Sequence, residues 1–235
     1  MGRFIFTMLV MYLLSSCSNG IHNKKLPFFK GTFLKIEKII EIHACNPHNP
    51  KQCLTKKYAA TASSFLVKST KVRSYLITSA HVCNVDYGRL VYLPNFSAKL
   101  QFYGLDLQLR KYDYMIEKVD FENDLCVVST NKIQGRAYKI ASKNTGIGQK
   151  VYNIAAPQDI FGKNMVPLFS GYYSGQAHNR SIFTLPAVGG SSGSPILNKK
   201  GEVIGVVSAV TKQFKNIVIS STLKSIKRII KDGVP

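Results

Sequence analysis

Apolar residues occur along most of the chain in short runs that are rich in β-branched and aromatic side chains and that end at turn residues. Four examples are "SSFLVKS", "SYLITSA", "DLCVVST" and "EVIGVVSAV". Runs of this length at close spacing, without long helical patterns between them, are typical of antiparallel sandwiches and barrels. The pattern therefore predicts an all-β fold.

The hydrophobic period changes near the C-terminus, in the segment "STLKSIKRIIKDG". Its apolar residues recur at helical spacing: Leu223, Ile226, Ile229 and Ile230. Ser221 or Thr222 is a candidate N-cap, and Gly233 is a candidate stop. The pattern predicts one short helix over about residues 222–232.

The N-terminal pattern is that of an export signal. Arg3 precedes an apolar run from Phe4 to Leu14, which is too short for a comfortable membrane span. The run ends in "LSSC", which resembles the bacterial lipobox, where cleavage precedes a cysteine that then carries lipid. We predict a lipoprotein-type signal peptide over residues 1–17, lipidation of Cys17, a connector over 18–30 and a location in the bacterial cell envelope. The alternative is an ordinary signal peptide and a secreted protein.

The chain is strongly basic. The 32 lysine and arginine residues outnumber the 12 acidic residues, which gives a formal net charge of +20. Such a charge favours contact with anionic surfaces. The basic residues are spread along the chain without the regular aromatic residues of a single-strand binding groove. We therefore expect a solvated basic surface and a membrane as partner through the lipid anchor, and no specific nucleic acid.

Cysteine usage agrees with export. Apart from Cys17, the cysteines are Cys45, Cys53, Cys83 and Cys126. Cys45 and Cys53 lie in the Pro- and Asn-rich segment "HACNPHNPKQC", which favours a local disulfide in an oxidising compartment. Free thiols and a zinc site with His43 and His48 are the alternatives. The spacing matches no standard zinc module, so no metal is predicted.

The segment "AVGGSSGSPI" holds two candidate nucleophiles. Ser191 fits G-x-S-x-G, but an α/β-hydrolase elbow needs a helix directly after the serine and a histidine further along the chain. The last histidine is His178, so that interpretation is excluded. Shifted by one residue, "GSSGSP" resembles the nucleophile segment of chymotrypsin-like serine proteases, with Ser192 as the candidate.

Two earlier segments complete this resemblance. "YLITSAHVC" with His81 and "ENDLCVV" with Asp124 resemble the histidine and acid segments of the same clan, in the same chain order. The chain is similar to compact bacterial and phage trypsin-like peptidases, including the protease domain of the high-temperature-requirement family. The resemblance implies two packed six-stranded antiparallel β-barrels in a protease domain over residues 31–235, the first barrel over about 31–133 and the second over about 134–221.

The resemblance also implies roles for single residues in the cleavage of a protein or peptide substrate. The predicted catalytic residues are His81, Asp124 and Ser192, and the predicted oxyanion hole is formed by Gly190 and Ser192 with a lesser contribution from Ser191. The predicted substrate pocket consists of Pro186, Ala187, Val188, Ser208, Ala209 and Val210. Val210 stands where trypsin-like enzymes keep glycine, which predicts a narrow pocket for a small or aliphatic residue before the cleaved bond. No cofactor is expected.

The sequence leaves alternatives for the cysteine pairing and for the function. Cys83 and Cys126 each follow a predicted catalytic residue by two positions, which allows either a disulfide or two buried thiols. A non-catalytic cationic envelope lipoprotein would keep the fold without cleaving a substrate. An esterase-like hydrolase would use the same three residues.

Overall fold

The computed structural model describes residues 31–84, 91–211, 213–214 and 216–235. The predicted signal peptide, Cys17 and the connector lie outside these residues. The strands are β1 (Phe33–Asn46), β2 (Asn49–Ser69), β3 (Arg73–Thr78), β4 (Ser97–Leu105), β5 (Lys111–Asp113), β6 (Met115–Asp120), β7 (Leu125–Asn131), β8 (Lys150–Ile154), β9 (Leu168–Ala177), β10 (Arg180–Thr184), β11 (Pro195–Leu197), β12 (Val203–Val210) and β13 (Ile217–Ser220). The helices are α1 (Ala80–Cys83) and α2 (Leu223–Gly233), with a 3₁₀ turn at Pro157–Asp159.

The first unit is an antiparallel sheet with the strand order β5-β4-β1-β2-β3-β7-β6. It forms a half-barrel. Its longest element is the β1–β2 hairpin, whose register runs from Phe33 opposite Phe65 to Cys45 opposite Cys53. The sheet has seven strands where the resemblance implies six, because β5 pairs with β4 at one edge as an additional short strand.

The second unit is a closed six-stranded barrel with the order β10-β13-β12-β11-β8-β9. Its strands pair antiparallel, and register shifts interrupt β10, β11 and β12. Closure leaves no free sheet edge in this unit. The all-β fold and the second six-stranded barrel are as predicted.

Buried side chains form three clusters, and one of them joins the two units. That cluster contains Phe65 and Val127 from the first unit, Val206 from the second and Ile226 from α2. The other two clusters lie one within each unit. The units therefore pack on a shared apolar core, and both they and the helix contribute to its stability.

Strand β7 is apolar without alternation because both of its faces are buried. Leu125 and Val127 pack in the shared cluster, whereas Cys126 and Val128 pack in the cluster of the first unit. All four side chains are fully buried. This strand leaves the turn that carries Asp124, so the turn is attached to a rigid element.

Helix α2 forms where its apolar spacing predicts it. The side chain of Thr222 accepts a hydrogen bond from the amide of Ser225 at 3.1 Å and so caps the first turn. Ile226 and Ile229 are buried in the shared cluster. Among the residues that the structure describes, no helix has the length and apolar character needed to cross a membrane.

Candidate active site

His81 lies on α1, directly after β3. The preceding Ser79 is fully buried, and its hydroxyl donates a hydrogen bond to the carbonyl of Val207 at 2.8 Å. Ala80 and Val82 are buried on either side, whereas the side chain of His81 is 50% exposed. The imidazole is therefore accessible on a backbone that a strand of the second unit holds in place.

Asp124 lies in the turn between β6 and β7 with a left-handed φ of 51°. Residues other than glycine seldom adopt this conformation without support. The buried Asn123 provides it, because its backbone carbonyl accepts from Ser221 Oγ at 2.8 Å and its side-chain oxygen accepts from Ser225 Oγ at 2.6 Å. Asp120 accepts from the amide of Asn123 at 3.0 Å. The start of α2 therefore fixes the position of Asp124.

The carboxylate of Asp124 contacts the backbone and the ring of His81. The ring nitrogen Nδ1 lies 3.0 Å from both Oδ1 and Oδ2, and the His81 amide donates to Oδ1 at 3.0 Å. A carboxylate only accepts hydrogen bonds, so Nδ1 carries the hydrogen in this contact. The other ring nitrogen, Nε2, is then left to accept a proton.

Ser208 on β12 also donates its hydroxyl to Oδ2 of Asp124. The carboxyl is 14% exposed. Burial raises its pKa, but the hydrogen bonds from His81 and Ser208 stabilise the charged form more strongly, and the pKa lies below its ordinary value. Asp124 is therefore a carboxylate at neutral pH.

Ser192 lies in the turn between β10 and β11, which both units hold in place. Its carbonyl accepts from the amide of Ser63 on β2 at 2.8 Å, and the next amide, that of Gly193, donates to the carbonyl of Val207 at 2.8 Å. Gly193 has a φ of 82°, and a Cβ there would lie 2.2 Å from Thr78 Oγ1. Only glycine fits this position. The serine turn therefore packs against the end of β3, the strand that leads to His81.

The amides around Ser192 have different partners. The amide of Ser191 donates to the carbonyl of Val188 at 2.9 Å. The amides of Gly190 and Ser192 donate to no protein group within the described part of the chain. Gly190 has a φ of 91°, and a Cβ there would lie 2.3 Å from the carbonyl oxygen of Ala156. Of the three residues predicted for the oxyanion hole, Gly190 and Ser192 thus have available amides, and the amide of Ser191 is already used.

The predicted pocket residues lie on two segments, the approach to Ser192 and the end of β12. Ala187 is buried and packs in the same apolar cluster as the partly buried Val210. Pro186 and Ala209 are exposed, and Val210 pairs with Val218 of β13. Both segments thus contribute an apolar side chain to the core of the second unit, while the Ser208 hydroxyl donates to Asp124.

Two disulfides are present in the described residues. Cys83 is bonded to Cys126, and this bond links the segments that carry His81 and Asp124. Cys45 is bonded to Cys53 across the β1–β2 hairpin. Potential ligand atoms of His43 and these two cysteines lie within 4.8 Å of one another, but the sulfurs are bonded to each other and are not thiolates.

Several residues that hold the site together could not be identified from the sequence. Ser63, Ser79 and Ser221 are fully buried serines that donate hydrogen bonds to backbone carbonyls of other elements. Serine is ordinarily exposed, and its partner depends on which strands meet. The unusual density of serine in apolar runs such as "TASSFLV" and "ISSTLKSI" was the available signal.

The fold and these contacts define a class: a two-unit β-protein with a carboxylate-bound histidine and a glycine-rich serine turn, as in chymotrypsin-like serine hydrolases. The model of the trypsin-like peptidase domain matches residues 62–206 of the chain. The chain therefore belongs to the trypsin-like peptidase family.

The solved structure of the serine endoprotease from Yersinia pestis has the same fold. It matches with a TM-score of 0.59 at 14% sequence identity, over 83% of this chain and 62% of that chain. The chain thus spans less than two thirds of the length of that protein. The match confirms the predicted chymotrypsin-like fold. No curated protein matches the sequence significantly.

Substitution of Ser208 tests whether its hydroxyl supports Asp124. Ser208→Ala removes a hydrogen bond to the charged Asp124, an interaction of about 1.5–3 kcal/mol, and so weakens the support of His81. We expect kcat to fall about tenfold with little change in KM, since about 1.4 kcal/mol corresponds to a factor of ten. Steady-state kinetics on an ester or peptide substrate measures this, with the exposed Ser170→Ala as control. An unchanged kcat would show that Ser208 does not support Asp124.

Proposed function

We propose that this protein is a serine endopeptidase in which Ser192 is the nucleophile, His81 the general base and Asp124 the group that orients His81. The observation that carries the proposal is the pair of 3.0 Å contacts between Nδ1 of His81 and the Asp124 carboxylate. It is supported by the available amides of Gly190 and Ser192. These groups supply a base, a nucleophile and an oxyanion site.

The proposed reaction has two stages. As Ser192 Oγ bonds to the substrate carbonyl carbon, its proton moves to Nε2 of His81, and the amides of Gly190 and Ser192 donate to the developing oxyanion. The C–N bond then breaks, and the leaving nitrogen takes the proton from Nε2. Water attacks the resulting ester by the same route and releases the acid and free Ser192.

The buried charge of Asp124 argues against the non-catalytic alternative. Burying a carboxylate costs free energy, and here the Asp124 carboxylate accepts hydrogen bonds from His81 and Ser208. A surface-acting lipoprotein would gain nothing from that arrangement. An esterase would use the same three residues and would differ only in its substrate. Cleavage of a protein substrate therefore distinguishes a protease from an esterase.

Covalent labelling tests the nucleophile. A fluorophosphonate probe should label the wild-type protein, and Ser192→Ala should lose the label because Oγ is the attacking atom. His81→Ala should label at least about 100-fold more slowly, since general-base catalysis contributes about 10²–10⁴-fold. Ser191→Ala is the matched control and should keep the label. Labelling that persists in folded Ser192→Ala would contradict the assignment of Ser192 as the nucleophile.

We also propose a preference for a small or aliphatic residue before the cleaved bond. Val210 on β12 and Ala187 on the segment before Ser192 pack in the same apolar cluster, so each predicted pocket wall carries an apolar side chain. A valine branch occupies volume that a glycine would leave free. The approach residue Pro186 contributes no charge that would bind a basic side chain.

Widening the pocket tests this preference. Val210→Gly should raise kcat/KM for substrates with phenylalanine before the cleaved bond relative to alanine, by at least about tenfold, because the change removes the isopropyl group and a single methylene of a pocket is worth about 1–3 kcal/mol. Ser170→Ala, at an exposed position of β9 outside the predicted pocket, should leave the ratio unchanged. Equal ratios in the wild type and Val210→Gly would place the pocket elsewhere.

We propose that the protein is exported and held at the bacterial cell envelope by lipid on Cys17. The apolar run from Phe4 to Leu14 supports export, and two disulfides suit an oxidising compartment. The net charge of +20 would strengthen contact with anionic headgroups beside the anchor. A secreted form is the alternative.

Substitution of Cys17 tests the anchor. Cells that express the wild type should incorporate labelled fatty acid into the protein and retain it in the membrane fraction. Cys17→Ser should lose both the label and membrane retention, whereas Ser16→Ala should keep both. A Cys17→Ser protein that stays in the membrane with its N-terminal run uncleaved would mean that this run itself is the anchor.

A further inference from the structure

The segment between β8 and β9, residues 155–167, contacts the serine turn through Gln158. We call it the β8–β9 loop. The amide of Gln158 donates to the carbonyl of Gly189 at 2.7 Å. In a trans peptide the C=O and the following N–H point in opposite directions. The bond to Gln158 therefore turns the amide of Gly190 away from the loop, toward the side where an oxyanion would need it.

The loop makes this contact in a conformation that needs support. Gln158 and the next residue, Asp159, have φ values of 47° and 66°, both in the left-handed region. Two consecutive non-glycine residues in this region are strained, and such a conformation persists only where surrounding contacts enforce it. Without enforcement, relaxation of the loop would release the carbonyl of Gly189.

The side chain of Asp159 makes an ion pair with Lys35 on β1. The Lys35 side chain is only 7% exposed, and its Nζ contacts Asp159 Oδ1 and lies 2.8 Å from Glu37 Oε1. Burial lowers the pKa of this lysine, but the two carboxylates outweigh that effect and raise it overall. A buried ammonium retains its charge only where it is paired. Lys35 therefore holds the largely exposed carboxylate of Asp159 against the first unit.

We propose that the Lys35–Asp159 ion pair is a positioning element of the active site, which holds the Gly189–Gly190 peptide in the orientation that presents the Gly190 amide to the oxyanion. Neither residue of the pair touches the substrate; both act through Gln158. This inference rests on the proposed function, because it assigns a cause to the geometry of the same oxyanion site.

Other contacts hold the far end of the loop. The amide of Asn164 donates to the carbonyl of Leu107 at 2.8 Å, and its side-chain oxygen accepts from Gln108 at 2.7 Å. Phe161 packs on Phe33 with ring centroids 6.0 Å apart. Loss of the ion pair is therefore expected to loosen the Gln158 end of the loop and to leave the Asn164 end in place.

The decisive variant is Asp159→Asn. Asparagine tolerates the left-handed conformation, so the substitution removes the charge without adding a backbone penalty. Lys35 keeps Glu37 as its partner, and the substituted side chain is 63% exposed, so the fold is retained. Glu37→Gln is the matched control, because it removes the other carboxylate from the same ammonium but lies on β1, outside the loop.

We expect Asp159→Asn to lower kcat by about tenfold or more with KM within about twofold, a part of the 10²–10³-fold lost when an oxyanion donor is deleted outright. Glu37→Gln should keep at least half of the wild-type kcat. Hydrogen exchange should become faster at the amide of Gln158 in Asp159→Asn and stay unchanged at the amide of Asn164.

The outcomes separate the two proposals. A folded wild-type protein that a fluorophosphonate does not label at Ser192 contradicts the proposed function, whatever the exchange data show. A wild-type protein that is labelled, together with an Asp159→Asn variant of unchanged kcat and unchanged exchange at Gln158, overturns the role of the ion pair alone. An equal loss of kcat in Glu37→Gln would also overturn it, since the effect would then come from the charge of Lys35 and not from the loop.

Discussion

The carbonyl oxygen of Val207 accepts one hydrogen bond from the amide of Gly193 and another from the hydroxyl of Ser79, each at 2.8 Å. The first donor belongs to the serine turn and the second to the residue before α1. The next residue, Ser208, donates to Asp124. One strand of the second unit thus fixes all three segments of the proposed catalytic site, which explains how residues from two packed units keep a common geometry.

The segments of the proposed catalytic site could be identified in the sequence. The order of His81, Asp124 and Ser192 restricted the fold to one clan, and the absence of a histidine after Ser192 excluded the hydrolase elbow. The contact between His81 and Asp124 follows from that assignment. Each of these features depends on which residue types occupy a few positions of the chain, and those residue types can be read directly from the sequence.

Contacts that depend on tertiary register could not be predicted. Lys35 lies in "FLKIEKII", where alternation places a lysine at the surface, yet the packing of the β8–β9 loop on β1 buries it. The hydrogen bond from Ser208, a predicted pocket residue, to Asp124 could not be predicted, because nothing local indicates which way its hydroxyl points. The additional edge strand β5 is too short to be recognised from its three residues. In each case the partner lies far along the chain, and local patterns carry no information about it.

The support of the Asp124 turn by α2 has a consequence for the order of folding. Ser221 and Ser225, which hold Asn123 by hydrogen bonds, lie in the chain after all three proposed catalytic residues. Ile226, which lies in the core shared by both units, also follows them. During synthesis, the acid turn therefore lacks these contacts until this segment has emerged and packed. A nascent chain that already contains Ser192 would therefore not form the complete proposed catalytic site until α2 has been translated.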